Sequence, residues 1–242
     1  ANGGYGSISL CFCGNNSGDS KFACGYIRDQ SSYARPTVQM FTVNSSLAIS
    51  QSHQGGVGTP AFMPNDGTAV CYHETEGRIV FVGRLDSNGR LCYSVATVDL
   101  TNTSAGSFGT FSSATNNLDN NGNSGRFSKL KGSNKMVYDP DTEQVIVFWD
   151  QTSAYDYMAT PIKIVSGSVT VYNSTKVADS GSNRGSSVQY DESVNTFVFQ
   201  WAETGSLKAR AATVTSSGVF TFGTAVEVEA QTCTQNSLTS AQ

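Results

Sequence analysis

Residues 135–149 read Lys135-Met-Val-Tyr-Asp-Pro-Asp-Thr-Glu-Gln-Val-Ile-Val-Phe-Trp149, and residues 187–201 read Ser187-Val-Gln-Tyr-Asp-Glu-Ser-Val-Asn-Thr-Phe-Val-Phe-Gln-Trp201. Tyr138-Asp139 falls on Tyr190-Asp191, and in both stretches the tryptophan follows the tyrosine by eleven residues. Such a return of pattern is the mark of a repeat architecture. A third, looser copy begins at Val70-Cys-Tyr-His73 and runs into Arg78-Ile-Val-Phe-Val-Gly-Arg84. A degenerate first copy begins at Ser9-Leu-Cys-Phe-Cys13 and runs into Phe22-Ala-Cys-Gly-Tyr-Ile-Arg28, with Tyr26 where the tryptophans stand, after a longer loop. Anchored on Phe12, Tyr72, Tyr138 and Tyr190, the copies are 60, 66 and 52 residues apart.

Each copy reads as four strands. The short Tyr-Asp segment is the first. A turn such as Pro140-Asp-Thr-Glu143 or Glu74-Thr-Glu-Gly77 follows, where Pro presets φ and Asp bonds its own backbone. The apolar run, for example Val145 to Trp149, is the second strand, and its continuous apolarity implies burial on both faces. Leu91 to Leu100, Tyr157 to Val165 and Leu207 to Val214 supply the third. Val169-Thr-Val171 and Val219-Phe-Thr-Phe222 supply the fourth, after the tight turns Ser166-Gly167 and Ser216-Ser-Gly218. Four antiparallel strands every 50 to 65 residues is the arithmetic of a β-propeller blade. The expected fold is therefore all-β: a β-propeller-like array of four four-stranded antiparallel blades over 5–58, 59–118, 126–180 and 181–235 in one repeat domain. An open stack of β repeats is the alternative. Residues 236–242 resemble the start of a further unit, and are expected either to close the ring against Ser7-Ile-Ser-Leu10 or to pair with a neighbouring subunit.

The segment Tyr138-Asp139-Pro140, the pair Trp149-Asp150 and the Ser166-Gly-Ser-Val169 turn carry a resemblance. So do Tyr190-Asp191, Ala212-Thr-Val214, Ser217-Gly218 and Phe222-Gly223 in the last copy. Together they resemble the tandem repeats of tail-fibre and related virion proteins of marine bacteriophages, and of some bacterial surface proteins. The likeness covers roughly 130–230 well and 66–116 loosely, while the first copy departs, with Phe12-Cys13 in place of Tyr-Asp. It implies an extracellular or virion-surface component of a fibre or particle, and it brings no catalytic residues.

Composition points the same way. Charged residues make up 14% of the chain, well below the usual share of about 25%, and glycine is abundant at 24. The net charge is −4, and the basic residues cluster nowhere beyond Lys129, Lys131 and Lys135, read as a solvated loop, so nucleic acid is not an expected partner. No stretch is long and apolar enough for a membrane-spanning helix. No signal peptide is visible at Ala1, which suggests a mature or trimmed chain or a piece of something longer.

Six cysteines, Cys11, Cys13, Cys24, Cys71, Cys92 and Cys233, are an even number compatible with disulfides in an oxidising compartment, or with plain burial in strands. Cys11 and Cys13 alternate along a strand and are expected on one face. No Cys-x-x-Cys pair exists, and His53 and His73 stand far from any, so no zinc or other metal and no cofactor is expected. Asp119-Asn-Asn-Gly-Asn-Ser-Gly125 alternates oxygen side chains, but its glycine is one place late for a calcium loop, and Leu130 stands where that loop needs Glu.

Catalysis finds little footing. A glycosidase needs two carboxylates across a cleft. Asp139, Asp150, Asp191 and Glu203 recur at repeat-equivalent places, which makes them turn residues first. No Gly-x-Ser-x-Gly elbow occurs. Trp149, Trp201, Tyr155 and Tyr157 could offer a sugar-stacking surface for a glycan or partner, although both tryptophans end apolar strands and suit a core. Four Asn-x-Ser/Thr sequons, at Asn15, Asn44, Asn102 and Asn173, fall in expected loops or strand ends. The reading is a non-enzymatic structural or adhesive module of an extracellular filament or virion. It is expected to associate with itself or with other fibre subunits, and to contact surface glycans. A lectin-like propeller and a glycan-degrading enzyme with a degenerate propeller are the alternatives.

Overall fold

A computed structural model describes residues 8–30, 33–57, 67–84, 90–101, 107–109, 111, 115–116, 118, 125–126, 135–151, 156–179, 185–203 and 205–230. The described residues form four antiparallel sheets in chain order. The first holds β1 (Ser9–Asn16), β2 (Asp19–Gln30), β3 (Tyr33–Val43) and β4 (Ile49–Gly56). The second holds β5 (Ala69–His73), β6 (Arg78–Arg84), β7 (Leu91–Asp99), β8 (Ser107–Phe108) and β9 (Thr115–Asn116). The third holds β10 (Gly125–Arg126), β11 (Met136–Asp139), β12 (Gln144–Gln151), β13 (Tyr157–Val165), β14 (Ser168–Val171) and β15 (Thr175–Ala178). The fourth holds β16 (Ser186–Asp191), β17 (Thr196–Glu203), β18 (Ser206–Val214), β19 (Phe220–Phe222) and β20 (Val226–Glu229).

The repeat anchors occupy one register. Phe12 pairs with Phe22, Tyr72 with Ile79, Tyr138 with Val145 and Tyr190 with Phe197, so each anchor sits opposite the start of its second strand. The first strands β1, β5, β11 and β16 pack against one another in succession, as inner strands do in a propeller. The fourth strand is more broken than its alternation suggests. β14 and β15 both pair with β13, and β19 and β20 both pair with β18, because the chain leaves the edge at Tyr172–Ser174 and at Gly223–Ala225 and then rejoins it. Interrupted outer edges offer a poor template for stray strand pairing.

Three apolar layers lie between successive sheets. Ala23, Ile27, Val38 and Met40 of the first sheet meet Val70, Ile79 and Phe81 of the second. Ala69, Val80 and Val82 of the second meet Val145, Val147 and Trp149 of the third. Ile146, Phe148 and Tyr157 of the third meet Val188, Phe197, Phe199 and Trp201 of the fourth. The face carrying the anchor and the tryptophan therefore always turns toward the preceding sheet. The strand period of two sends the alternate residues to the next. This explains why β12 reads as a continuous apolar run and is buried along nearly its whole length.

Turn chemistry repeats with the same fidelity. The residue five places after the anchor has positive φ in three sheets: Gly77 (58°), Glu143 (55°) and Asn195 (48°). Asp139 Oδ1 accepts the Asp141 amide at 2.9 Å, and Asp191 Oδ1 accepts the Ser193 amide at 3.0 Å. Among the described residues the array is open. The first sheet's anchor-bearing face meets no preceding sheet, and Leu10 (60%) and Phe12 (51%) stand exposed on it. The strand expected from residues 236–242 lies outside the described residues.

Candidate functional site

The end of the sheets opposite the Asp turns holds a strongly perturbed basic group, Lys135. Lys135 immediately precedes β11, Ser186 opens β16, and Asp150 lies near the end of β12. Lys135 Nζ donates to both the backbone oxygen and the Oγ of Ser186, and Ser186 Oγ in turn donates to Asp150 Oδ1 at 3.4 Å. All three are buried. Burial pushes the Lys135 ammonium down to about 8, against the opposing pull of the Asp150 charge. A lysine bonded to a serine is the pairing that activates a nucleophile in some hydrolases. Here the hydroxyl is wholly buried between the third and fourth sheets, so the pair acts as a tie across that interface. Lys135 is thus a correction to the solvated-loop reading of the basic cluster, whereas Lys129 and Lys131 lie outside the described residues. The signal was a departure from the repeat: Lys135 stands where Ala69 and Ser187 stand in the neighbouring copies.

The aromatic residues singled out from the sequence lie nearby but face inward. Tyr157 donates its hydroxyl to the Ala202 carbonyl at 3.1 Å, crossing from the third sheet to the fourth. Trp149 Nε1 donates to Thr160 Oγ1 at 2.8 Å, and Trp201 Nε1 to Glu203 Oε1 at 2.7 Å. Each of the three is 1% exposed, so their ring faces are taken up by packing, which corrects a sugar-stacking role for them. Tyr155 lies outside the described residues.

The carboxylates weighed for catalysis are dispersed. Asp139 closes its turn, also accepting the Thr142 hydroxyl at 2.6 Å, and Asp191 accepts the Ser193 hydroxyl at 2.6 Å. Glu203 holds Trp201 and pairs with Lys208 at 2.7 Å. Sequence reading missed Glu76, whose two carboxylate oxygens accept the amides of Ser166 (2.9 Å) and Gly167 (3.2 Å) in the next sheet, and those amides hold its carboxyl below the usual range.

The tyrosine of the motif has a recurring task. Tyr138 OH bonds Thr75 Oγ1 at 2.7 Å, and Tyr190 OH lies 3.2 Å from Asp141 Oδ2 of the preceding sheet and 2.8 Å from Asn195 Oδ1 of its own turn. In both cases the cross-sheet neighbour is the third residue after the anchor of the preceding sheet. Phe12 carries no hydroxyl, and the first sheet has no preceding turn to bond.

Cys11, Cys13, Cys24, Cys71 and Cys92 are free thiols, which corrects the expectation of a disulfide among them, while Cys233 lies outside the described residues. Cys11 and Cys13 do share the face toward the second sheet. Burial raises the thiols of Cys71 and Cys92, the latter to about 12, which keeps them protonated and unreactive. Of the sequons, Asn15 and Asn173 are exposed. Asn44 Oδ1 instead accepts the amides of Ser46 (3.1 Å) and Ala48 (2.9 Å), and Asn102 lies outside the described residues. No group of three or more His, Cys, Asp or Glu among the described residues is placed to hold a metal ion, and none of their helices is long and apolar enough to cross a membrane.

No family model matches the chain, and no curated protein matches it. Solved structures do. One is a protein from Lactobacillus plantarum, at 12% identity and a TM-score of 0.56, covering 88% of this chain and 54% of that one. Another is the exo-β-1,3-galactanase of Phanerochaete chrysosporium, solved with galactose, at 8% identity and a TM-score of 0.51, covering 92% of this chain and 49% of that one. This chain thus spans about half the length of each. At such identities the likeness speaks for architecture alone, and the architecture is an all-β, propeller-like array of four antiparallel sheets.

Proposed function

We propose that the chain is a non-enzymatic structural or adhesive module of an extracellular filament or virion. The observation that carries this reading is the use to which the repeat motif is put. Its tyrosines and aspartates close turns or bond to the preceding sheet, and its tryptophans are buried in the apolar layers between sheets. A motif retained for sheet-to-sheet joining suits a load-bearing array. Its resemblance to tail-fibre and bacterial surface repeats supports the same reading. The test pairs an activity screen with imaging of the purified full chain. The expected result is an elongated or ring-shaped particle without turnover of polysaccharides. A monomeric globule that releases sugars would overturn the reading.

A second reading, glycan binding on a propeller scaffold, draws on the fold shared with a galactose-bound galactanase. A glycan-array screen tests it, with retention of a defined sugar class as the expected outcome and no signal across the array as the contrary one.

A further inference from the structure

We infer that His73 makes the turn end of the junction between the second and third sheets an acid-labile joint, closed while its imidazole is neutral and loosened once it takes up a proton. The joint belongs to the fold, and works in the same way whether the chain assembles or binds glycans.

His73 departs from the repeat. It follows the anchor Tyr72 where Asp139 follows Tyr138 and Asp191 follows Tyr190. Asp139 and Asp191 cap their turns by accepting an amide two residues on. His73 does the equivalent with its ring, Nδ1 accepting the Glu76 amide at 3.4 Å. Nε2 lies 3.1 Å from the Glu143 carbonyl of the third sheet, and a carbonyl only accepts, so Nε2 carries the hydrogen. The imidazole is thereby fixed as one neutral tautomer, its acceptor on the turn and its donor on the neighbouring sheet. It is wholly buried, with its ring 4.7 Å from that of Tyr138 between centroids.

Three ties to the third sheet hang on this one turn. His73 reaches Glu143, Thr75 Oγ1 bonds Tyr138 OH, and the Glu76 carboxylate accepts the Ser166 and Gly167 amides. A proton on Nδ1 replaces its lone pair with a donor that faces the Glu76 amide, itself a donor. Two rearrangements relieve the clash, and each gives up a tie. The turn can swing off the ring, taking Thr75 and Glu76 away from the third sheet. Alternatively the Glu76 carboxylate can turn to the imidazolium and release Ser166 and Gly167.

The charged groups about the ring are Glu74, Glu76 and Arg78 of its own sheet and Glu143 of the third. Arg78 stands opposite His73 in the β5–β6 register, 3.9 Å from Glu76, and sets a second cation beside an imidazolium. Cys71 and Tyr138 are the remaining titratable neighbours, and burial raises both, so neither ionises near neutral pH. Burial pushes the His73 imidazole below the usual histidine range, against the pull of the Glu143 carbonyl and of the Glu76 and Glu143 charges. The opened joint therefore binds the proton more tightly than the closed one, and acid favours opening.

The test follows amide exchange of the full chain from about pH 8 to about pH 5, corrected for the intrinsic pH dependence of exchange, across the range where an exposed histidine titrates. Glu76 stays ionised there, because the Ser166 and Gly167 amides hold its carboxyl below the usual range. The expected result is that opening at the Glu76, Ser166 and Gly167 amides grows by up to about tenfold per pH unit below the ordinary histidine value of 6.5. The Ser193 amide, held by Asp191 in the fourth sheet, should not follow. His73→Gln, whose side-chain amide can still donate to the Glu143 carbonyl, should abolish the rise, with its fold checked by circular dichroism. Flat opening at the three amides in wild type would overturn the inference, as would the same rise in His73→Gln. Should that variant fail to fold, the imidazole resonance of His73 in wild type decides. Opening that tracks its titration upholds the joint, and opening that does not track it overturns the joint.

Discussion

At the scale of single residues, the account makes the anchor tyrosines into joints. Removing a hydroxyl that bonds across a packed boundary costs about 1 kcal/mol. Tyr138→Phe and Tyr190→Phe are each expected to lower stability by about that amount in urea unfolding, with the slope unchanged. Glu143 holds positive φ where the second sheet uses Gly77. A non-glycine residue there is disfavoured by roughly 1 kcal/mol, so Glu143→Gly should raise the unfolding midpoint. Its backbone oxygen would keep its bond from His73 Nε2, 3.1 Å away. Lys135 gives a pH signature. Its folded pKa, about 8, lies below its ordinary value of 10.5. Between those values the unfolded chain binds the extra proton, so this group makes stability climb as pH rises, by up to about 1.4 kcal/mol per unit. The stability difference between wild type and Lys135→Met should therefore shift in favour of wild type from pH 8 to 10.5 and level off above. A flat difference across that window would show the lysine to be ordinary. The Tyr-Asp pairs and the Asp turns were legible in the sequence because local chemistry fixes them. The bonds of Lys135 to Ser186 and of Glu76 to Ser166 were not, since each joins groups from separate copies.

At the scale of elements, the strands follow from alternation and turn residues, and the junctions follow from which alternate residues are small. Gly25 illustrates the second point. A Cβ there would stand 2.4 Å from Val70 Cγ1, so the first two sheets approach as closely as they do only because the position is bare. Gly25→Val should cost about 1–3 kcal/mol through overpacking, measured as a drop in the unfolding midpoint. The third strands were legible to within a residue. The split fourth strands were only half legible: Val169–Val171 and Phe220–Phe222 alternate beside clear turns, whereas Thr175–Ala178 and Val226–Glu229 pair after an excursion that no local signal announces. The inward aim of Trp149, Trp201 and Tyr157 was the simpler of two readings available from sequence. Only the register of β12 on β13 and of β17 on β18 decides it.

For the whole molecule, the array is close to one-dimensional, each sheet holding its neighbours. Among the described residues the second and third sheets each pack against a sheet on both faces, and the first and fourth against one sheet only. Amide exchange should grade accordingly, slowest in β12 and fastest at the outer strands β4 and β20. Uniform protection across the four sheets would contradict a neighbour-by-neighbour array. Four copies with equivalent anchors were readable from spacing, because identical turn and packing needs leave identical residues. Whether the ends meet was not readable, because ring closure depends on the small angle between successive sheets, which no motif encodes. The central claim is that the motif builds an assembling array rather than a catalyst. Electron microscopy of the purified full chain tests it most directly. The account predicts particles larger than the monomer, without turnover of polysaccharides. A population of single globules, active on a polysaccharide, would contradict it.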